Sequence, residues 1–170
     1  MDFTIYKIFQ KRVWDANICT TANCKVKFNG DVLPKQSFEM YAKMHSGVEN
    51  VTSVTGDRWS VCIGPSETGL EQVSFVNGIC TTKGGTHVDH VASLVASGVI
   101  EEMAKKIKLK PQQVKNTFTI FVKATLENPT FSSQVKSECT IKVQDFGSKF
   151  EMPKTFVKNV LKTGISDELT

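Results

Sequence analysis

The sequence predicts an α+β domain, with a mainly antiparallel sheet and helices packed on one face. Three observations lead there. Short segments with apolar residues at the two-residue strand period recur along the chain, separated by Gly, Asn and Pro turns. Residues 86–106 place Val88, Val91, Val95, Val99 and Met103 on one stripe at helical spacing. Between these patterns, residues 73–91, VSFVNGICTTKGGTHVDHV, pass from strand through a glycine turn into that helix.

The elements follow in order. Residues 2–16 read as an amphipathic helix, with Tyr6, Phe9 and Val13 on one face and Lys7, Lys11 and Arg12 on others. Alternation begins at Cys24 in CKVKFNGDVL, and Asn29-Gly30-Asp31 supplies a hairpin turn. Residues 36–44 read as a short helix with Phe38, Tyr41 and Met44 on one face, and residues 47–56 as a polar loop. Residues 58–63 alternate, turn through 64–69 and are expected to pair with residues 71–79.

Thr86 is the expected N-cap of the long helix, because its hydroxyl suits an unpaired first-turn N–H. Asp89 then puts negative charge at the positive end of the helix dipole. Gly98 inside this helix costs about 1 kcal/mol relative to alanine and marks a close approach to another element. Pro111 limits any helix through the lysine-rich segment that follows. Residues 117–126, TFTIFVKATL, form a strongly apolar strand; a loop at 127–133 and a strand at 138–143 follow. Pro153 opens a last short helix carrying Phe156, Val157, Val160 and Leu161. No repeat, low-complexity tract or linker divides residues 1–170, so they read as one domain.

Composition narrows the class. With 40% apolar and 22% charged residues the chain has the make-up of an ordinary soluble protein. No apolar run of about 18 residues is present to span a bilayer, and the N-terminus lacks the apolar core of a signal peptide. Cys19, Cys24, Cys62, Cys80 and Cys139 form no CxxC pair and leave an odd one over. That argues against a disulfide scaffold or zinc site and for a reducing intracellular compartment. The net charge of +4 is mild, but residues 103–125 hold six lysines and no acid.

No GxSxG elbow is present. His87 and His90 are three apart without HExxH or a third ligand motif, and read as partly solvated helix-start residues rather than a metal site. Lys83-Gly84-Gly85 before a helix could cradle a phosphate, yet the spacing does not match GxxxxGK[ST]. Lys105, Lys106, Lys108 and Lys110 fit either a solvated loop or a phosphate-backbone contact surface. The absence of interleaved aromatics before Phe118 favours duplex over single-strand contact in the second case. In ENPTFSSQVKSECT, Gln134 and Lys136 are two apart; if extended, they point to one side, where an amide and an ammonium would clamp an anionic oxygen. Taken by itself the segment reads first as a surface loop joining two strands.

Three segments, in order, resemble the transducer domain of eukaryotic-type DNA topoisomerase II (type IIA). They are RVWDANICTTANCKVKFNGDVLPKQSF, SFVNGICTTKGGTHVD and KNTFTIFVKATLENPTFSSQVKSECT, with DFGSKFEMPKTFV as the continuation. The resemblance covers nearly the whole chain. It implies a ribosomal protein S5 domain 2-like fold with a left-handed β-α-β crossover, against the usual right-handed preference. It implies that residues 1–16 enter from an upstream ATP-binding domain of the histidine-kinase-like type. Residues 17–150 would then form the core and 151–170 begin a C-terminal helical segment.

The same resemblance makes Lys136 the catalytic, phosphate-sensing lysine and Gln134 its partner at the ATP site. It makes Lys105, Lys106, Lys108 and Lys110 candidate DNA contacts. The implied cofactors are ATP, shared with the upstream domain, and Mg2+ held elsewhere in the parent enzyme. The implied partners are that domain, a downstream cleavage core, duplex DNA and a second subunit, in the nucleus and with no membrane. Two features depart from the family pattern: Val135 stands where threonine is usual, and the lysine segment is shorter. The chain is accordingly expected to be part of a larger homodimeric enzyme and inactive alone. The competing reading is a stand-alone DNA-binding or interaction module of the same fold that acts without ATP.

Overall fold

The computed structural model of the chain describes residues 2–170. Helix α1 (Phe3–Cys19) is capped by Asp2, whose carboxylate accepts from the Thr4 amide at 3.0 Å. A small hairpin follows, β1 (Lys27–Phe28) and β2 (Asp31–Val32). Asn29 and Gly30 both take positive φ, 51° and 93°, as a two-residue hairpin turn requires. Helix α2 (Phe38–Ser46) is capped by Ser37, whose hydroxyl accepts from the Met40 amide at 3.1 Å.

The main sheet holds β3 (Thr52–Thr55), β4 (Trp59–Pro65), β5 (Glu71–Val76), β6 (Ile79–Cys80) and β7 (Phe118–Ala124). Its spatial order is β3-β4-β7-β5-β6, and every pairing is antiparallel except the parallel pair β5–β7. The expected β4–β5 hairpin does not form. β7 lies between them, paired with β4 from Trp59↔Ala124 to Pro65↔Phe118 and with β5 from Glu71↔Thr119 to Val76↔Ala124. The reason is burial: β7 is apolar at both strand parities and all but Lys123 of it is buried, so it belongs at the centre of the sheet.

The same two-sided apolarity means that helices cover both faces rather than one. Val61, Ile63, Ile120 and Val122 face the stripe Val88, Val91, Val95 and Val99 of helix α3 (Thr86–Met103). Cys62, Phe75 and Phe121 face Ile18 of α1 and Phe38, Tyr41 and Ala42 of α2. The second layer is locked by Asp15, which is buried and accepts from the Tyr41 hydroxyl at 2.7 Å and from Lys11 at 2.8 Å.

Helix α5 (Lys154–Val160), entered from Pro153, runs on through a π-helical segment (Leu161–Ile165) into α6 (Ser166–Glu168). It packs on α3 where Gly98 permits it: a Cβ on Gly98 would sit 2.7 Å from Val157 Cγ2. Four further expectations need correction. Phe9 and Met44 are 53% and 46% exposed, so the apolar faces expected for α1 and α2 are only partly covered. The polar stretch at 47–56 contains β3, an edge strand reading Thr-Ser-Val-Thr with Val54 its single apolar residue. Residues 138–143 form isolated bridges at Cys139 instead of a strand. Thr86 is the first residue of α3 and Gly85 its N-cap; the Thr86 hydroxyl instead donates to the Ile141 carbonyl at 2.6 Å. Among the described residues no helix is long and apolar enough to cross a membrane.

Candidate functional site

Gln134 and Lys136 lie at the tip of the loop spanning residues 131–139. The base of the loop is closed by the antiparallel bridge Phe131↔Cys139, and Cys139 makes a second, parallel bridge to Gly85. Three backbone hydrogen bonds strap the returning arm to the turn before α3. The Lys83 amide donates to the Ser137 carbonyl at 2.8 Å, the Cys139 amide to Gly84 at 3.0 Å, and the Thr86 amide to Cys139 at 3.0 Å. Gly85 is indispensable here, because its φ of 130° and its closeness to the Cys139 backbone both exclude a side chain.

These straps also resolve the two readings of Lys83-Gly84-Gly85. The amides of Lys83, Gly84 and Thr86 are each committed to protein carbonyls, so the turn serves as a seat for the loop.

The tip is a turn, not an extended strand. The Lys136 amide donates to the Ser133 carbonyl at 3.0 Å, and Lys136 has a φ of 58°. The turn therefore sets the relative direction of Gln134 and Lys136; strand alternation does not. Gln134, Val135 and Lys136 are all exposed, Val135 at 82%. Lys136 Nζ rests 5.7 Å from the Phe131 ring centroid, and among the described residues no carboxylate pairs with it. An exposed cation–π contact is worth about 0.5–1 kcal/mol, little enough for an anion to draw the ammonium away. Phe131, which cushions this lysine, carries no sequence signal beyond its place beside Pro129 and Thr130.

The other candidate residues lie at the far end of α3. Its 18 residues span about 27 Å at 1.5 Å per residue. Just past its C-terminus Ile107 and Leu109 turn towards the core, while Lys105, Lys106, Lys108 and Lys110 are exposed and free of carboxylate partners among the described residues. Pro111 then opens α4 (Pro111–Lys115), and Lys115 donates to Ser93 of α3 at 2.9 Å. The four exposed lysines and the Lys136 loop are thus separate sites joined by one helix.

His87 differs from the expected solvated histidine. It is fully buried, its Nε2 lies 3.3 Å from Thr81 Oγ1, and its Nδ1 has no partner. Burial pushes its pKa down to about 4, so it is neutral at physiological pH. His90 is half-buried and meets the Phe146 ring edge-on. Among the described residues no group of three or more His, Cys, Asp or Glu is placed to hold a metal ion. All five cysteines are free, with Cys62 and Cys139 buried as small apolar groups.

Comparison with known proteins agrees with this architecture. The sequence model of the DNA gyrase B family matches residues 28–167. DNA topoisomerase 2 of Arabidopsis thaliana is 38% identical over 178 residues, which cover 97% of this chain and 12% of the relative. DNA topoisomerase 2-beta of Mus musculus is 38% identical over 183 residues, covering 99% and 11%. The crystal structure of the ATPase region of Saccharomyces cerevisiae topoisomerase II bound to ICRF-187 matches with a TM-score of 0.90 at 32% identity. That match covers 99% of this chain and 45% of the yeast one. The ATPase and transducer domains of Balamuthia mandrillaris topoisomerase II match with a TM-score of 0.89 at 29% identity, covering 98% and 43%. The chain therefore spans 11% to 12% of the length of these curated relatives. It belongs to the DNA gyrase B family and aligns there with the eukaryotic-type topoisomerases II.

Proposed function

We propose that this chain is the transducer of an ATP-dependent type II DNA topoisomerase. In this reading residues 1–16 lead in from an ATP-binding domain, 17–150 form the core and 151–170 begin a helical segment towards the cleavage core. The observation that best supports it is the loop at 131–139: its base is strapped to α3 and its exposed tip carries a lysine with no carboxylate partner among the described residues.

An ammonium and an amide with no carboxylate in ion-pair contact among the described residues fit anionic oxygens. They do not fit Mg2+, which would be held outside this chain. ATP supplies the terminal phosphoryl group whose hydrolysis drives strand passage. Lys136 leaves the Phe131 ring and neutralises charge at that phosphate, most strongly as charge builds in the transition state. Gln134 donates its amide beside it. Val135, already in solvent, loses the hydrogen bond a threonine would make but displaces nothing. Because Lys136 binds only when the terminal phosphate is present, the position of the domain follows nucleotide state. The exposed lysines at 105–110 hold duplex DNA by its backbone. The working enzyme is a nuclear homodimer.

The test is ATP turnover by the full-length protein, wild type against Lys136→Ala. A fall of about a hundredfold, the scale for losing one transition-state donor, with DNA affinity retained, is the expected result. Unchanged turnover overturns the assignment. A second reading, a DNA-binding module acting without ATP, draws on the four exposed lysines at 105–110; there Lys136→Ala does little and changes at 105–110 remove binding.

A further inference from the structure

We infer that Gln72, Ser74, Thr81 and His87 form a strut, buried at Ser74, Thr81 and His87 and half-buried at Gln72, that holds the Lys136 loop in register, with Gln72 as a positioning residue for phosphate contact. The inference rests on the reading of Lys136 as the phosphate-facing lysine.

Gln72 and Ser74 are two apart on β5 and share the face on which Val76 joins the α3 core. Apolar residues would be the default there. Polar ones are tolerated there when they bond one another, and these form a continuous chain from His87 to the Thr82 carbonyl. His87 Nε2 lies 3.3 Å from Thr81 Oγ1, and Thr81 Oγ1 shares a hydrogen bond with Ser74 Oγ. Ser74 Oγ donates to Gln72 Oε1 at 2.8 Å, and Gln72 Nε2 to the Thr82 carbonyl at 2.9 Å. The links are contiguous, so they reinforce one another. Only His87 Nδ1, at the far end, is left without a partner.

What the strut carries is the seat of the loop. Gln72 touches the turn directly: a Cβ on Gly84 would lie 3.3 Å from Gln72 Cδ. Lys83, immediately after the Thr82 carbonyl that Gln72 holds, straps Ser137, and Gly84 straps Cys139. Ser137 directly follows Lys136. A shift of the 81–84 backbone is therefore passed through two hydrogen bonds to the lysine. A misplacement of about 1 Å at a reacting centre costs on the order of a hundredfold in rate.

Gln72→Glu is the sharp test. It keeps shape and the bond accepted from Ser74, but replaces the donor facing the Thr82 carbonyl with an oxygen. In the full-length protein, Gln72→Glu should lower kcat for ATP about ten- to a hundredfold and leave KM for ATP and DNA affinity within about twofold. Placed on Lys136→Ala it should lower turnover no further, because the residue it positions is gone. Thr81→Val should behave like Gln72→Glu, while Thr81→Ser, which keeps the hydroxyl, should restore wild-type turnover; this pair decides the matter if Gln72→Glu fails to fold. An effect that persists undiminished on the Lys136→Ala background, or wild-type kcat in both Gln72→Glu and Thr81→Val, overturns the inference while leaving Lys136 in place. A silent Lys136→Ala overturns the reading of the loop and the inference with it.

Discussion

Gly85 and Cys139 meet backbone to backbone: a Cβ on Gly85 would come within 2.6 Å of the Cys139 amide nitrogen and closer still to its carbonyl oxygen. This contact closes the loop onto α3. Gly85→Ala must both relieve the overlap and leave a φ of 130° that L-residues rarely adopt. It should cost about 2–4 kcal/mol, read as a fall in urea midpoint, with amides 137–139 exchanging faster than those of β4.

Gly98 sets two effects against each other. Alanine there gains about 1 kcal/mol of helix propensity. Its Cβ would lie 2.7 Å from Val157 Cγ2, however, on a β-branched side chain that cannot swing aside as Met152 can. Overpacking at about 1–3 kcal/mol wins, so Gly98→Ala should be destabilising in chemical denaturation. In the Val157→Ala background the same change should become neutral or stabilising.

His87 gives a pH dependence with a definite sign. Its pKa is near 4 in the fold and near 6.5 when exposed, so the unfolded chain takes up the proton first. The contribution is complete above pH 6.5 and is lost as pH falls towards 4, on the order of 3 kcal/mol in all. Denaturation from pH 7 to pH 4 should show this slope in wild type and a shallower one in His87→Gln.

Tyr41→Phe tests the second layer. Asp15 would keep Lys11 at 2.8 Å but lose the buried hydroxyl at 2.7 Å. A loss of about 1–3 kcal/mol is expected for a hydrogen bond to a charged group, read by thermal or urea unfolding.

The lysines at 105–110 predict a salt effect. Each one replaced by alanine should flatten the log–log dependence of duplex affinity on salt by about 0.9, if each meets one phosphate. Lys115→Ala, whose ammonium is engaged by Ser93, should flatten it less. Equal slopes for wild type and the quadruple variant would remove the DNA assignment.

Much of this fold was legible in the chain because the signals are local. The stripe Val88, Val91, Val95 and Val99 repeats within one helix, Asn29-Gly30 makes its turn with its neighbours, and Gly98 announces a close approach without naming the partner. The loop at 131–139 was legible as a loop, and Lys136 as its charged residue. Its geometry was not: the extended reading failed because a left-handed Lys136 and a bond to Ser133 build a turn, which depends on how the two arms are held.

By itself the sequence determined α3, the small β1–β2 hairpin and the apolar strands β4 and β7, since period and turn chemistry act over a few residues; it missed β3 and made a strand of residues 138–143. Only the tertiary structure decided which strands are neighbours. β7 enters between β4 and β5 because a strand apolar on both faces gains most from burial on both. The same long-range packing covered the second face with α2, made Gly85 rather than Thr86 the cap of α3, and aligned Gln72, Ser74, Thr81 and His87. A hydrogen-bond chain across a strand, a turn and a helix exists only once these elements are packed, so no window of sequence contains it.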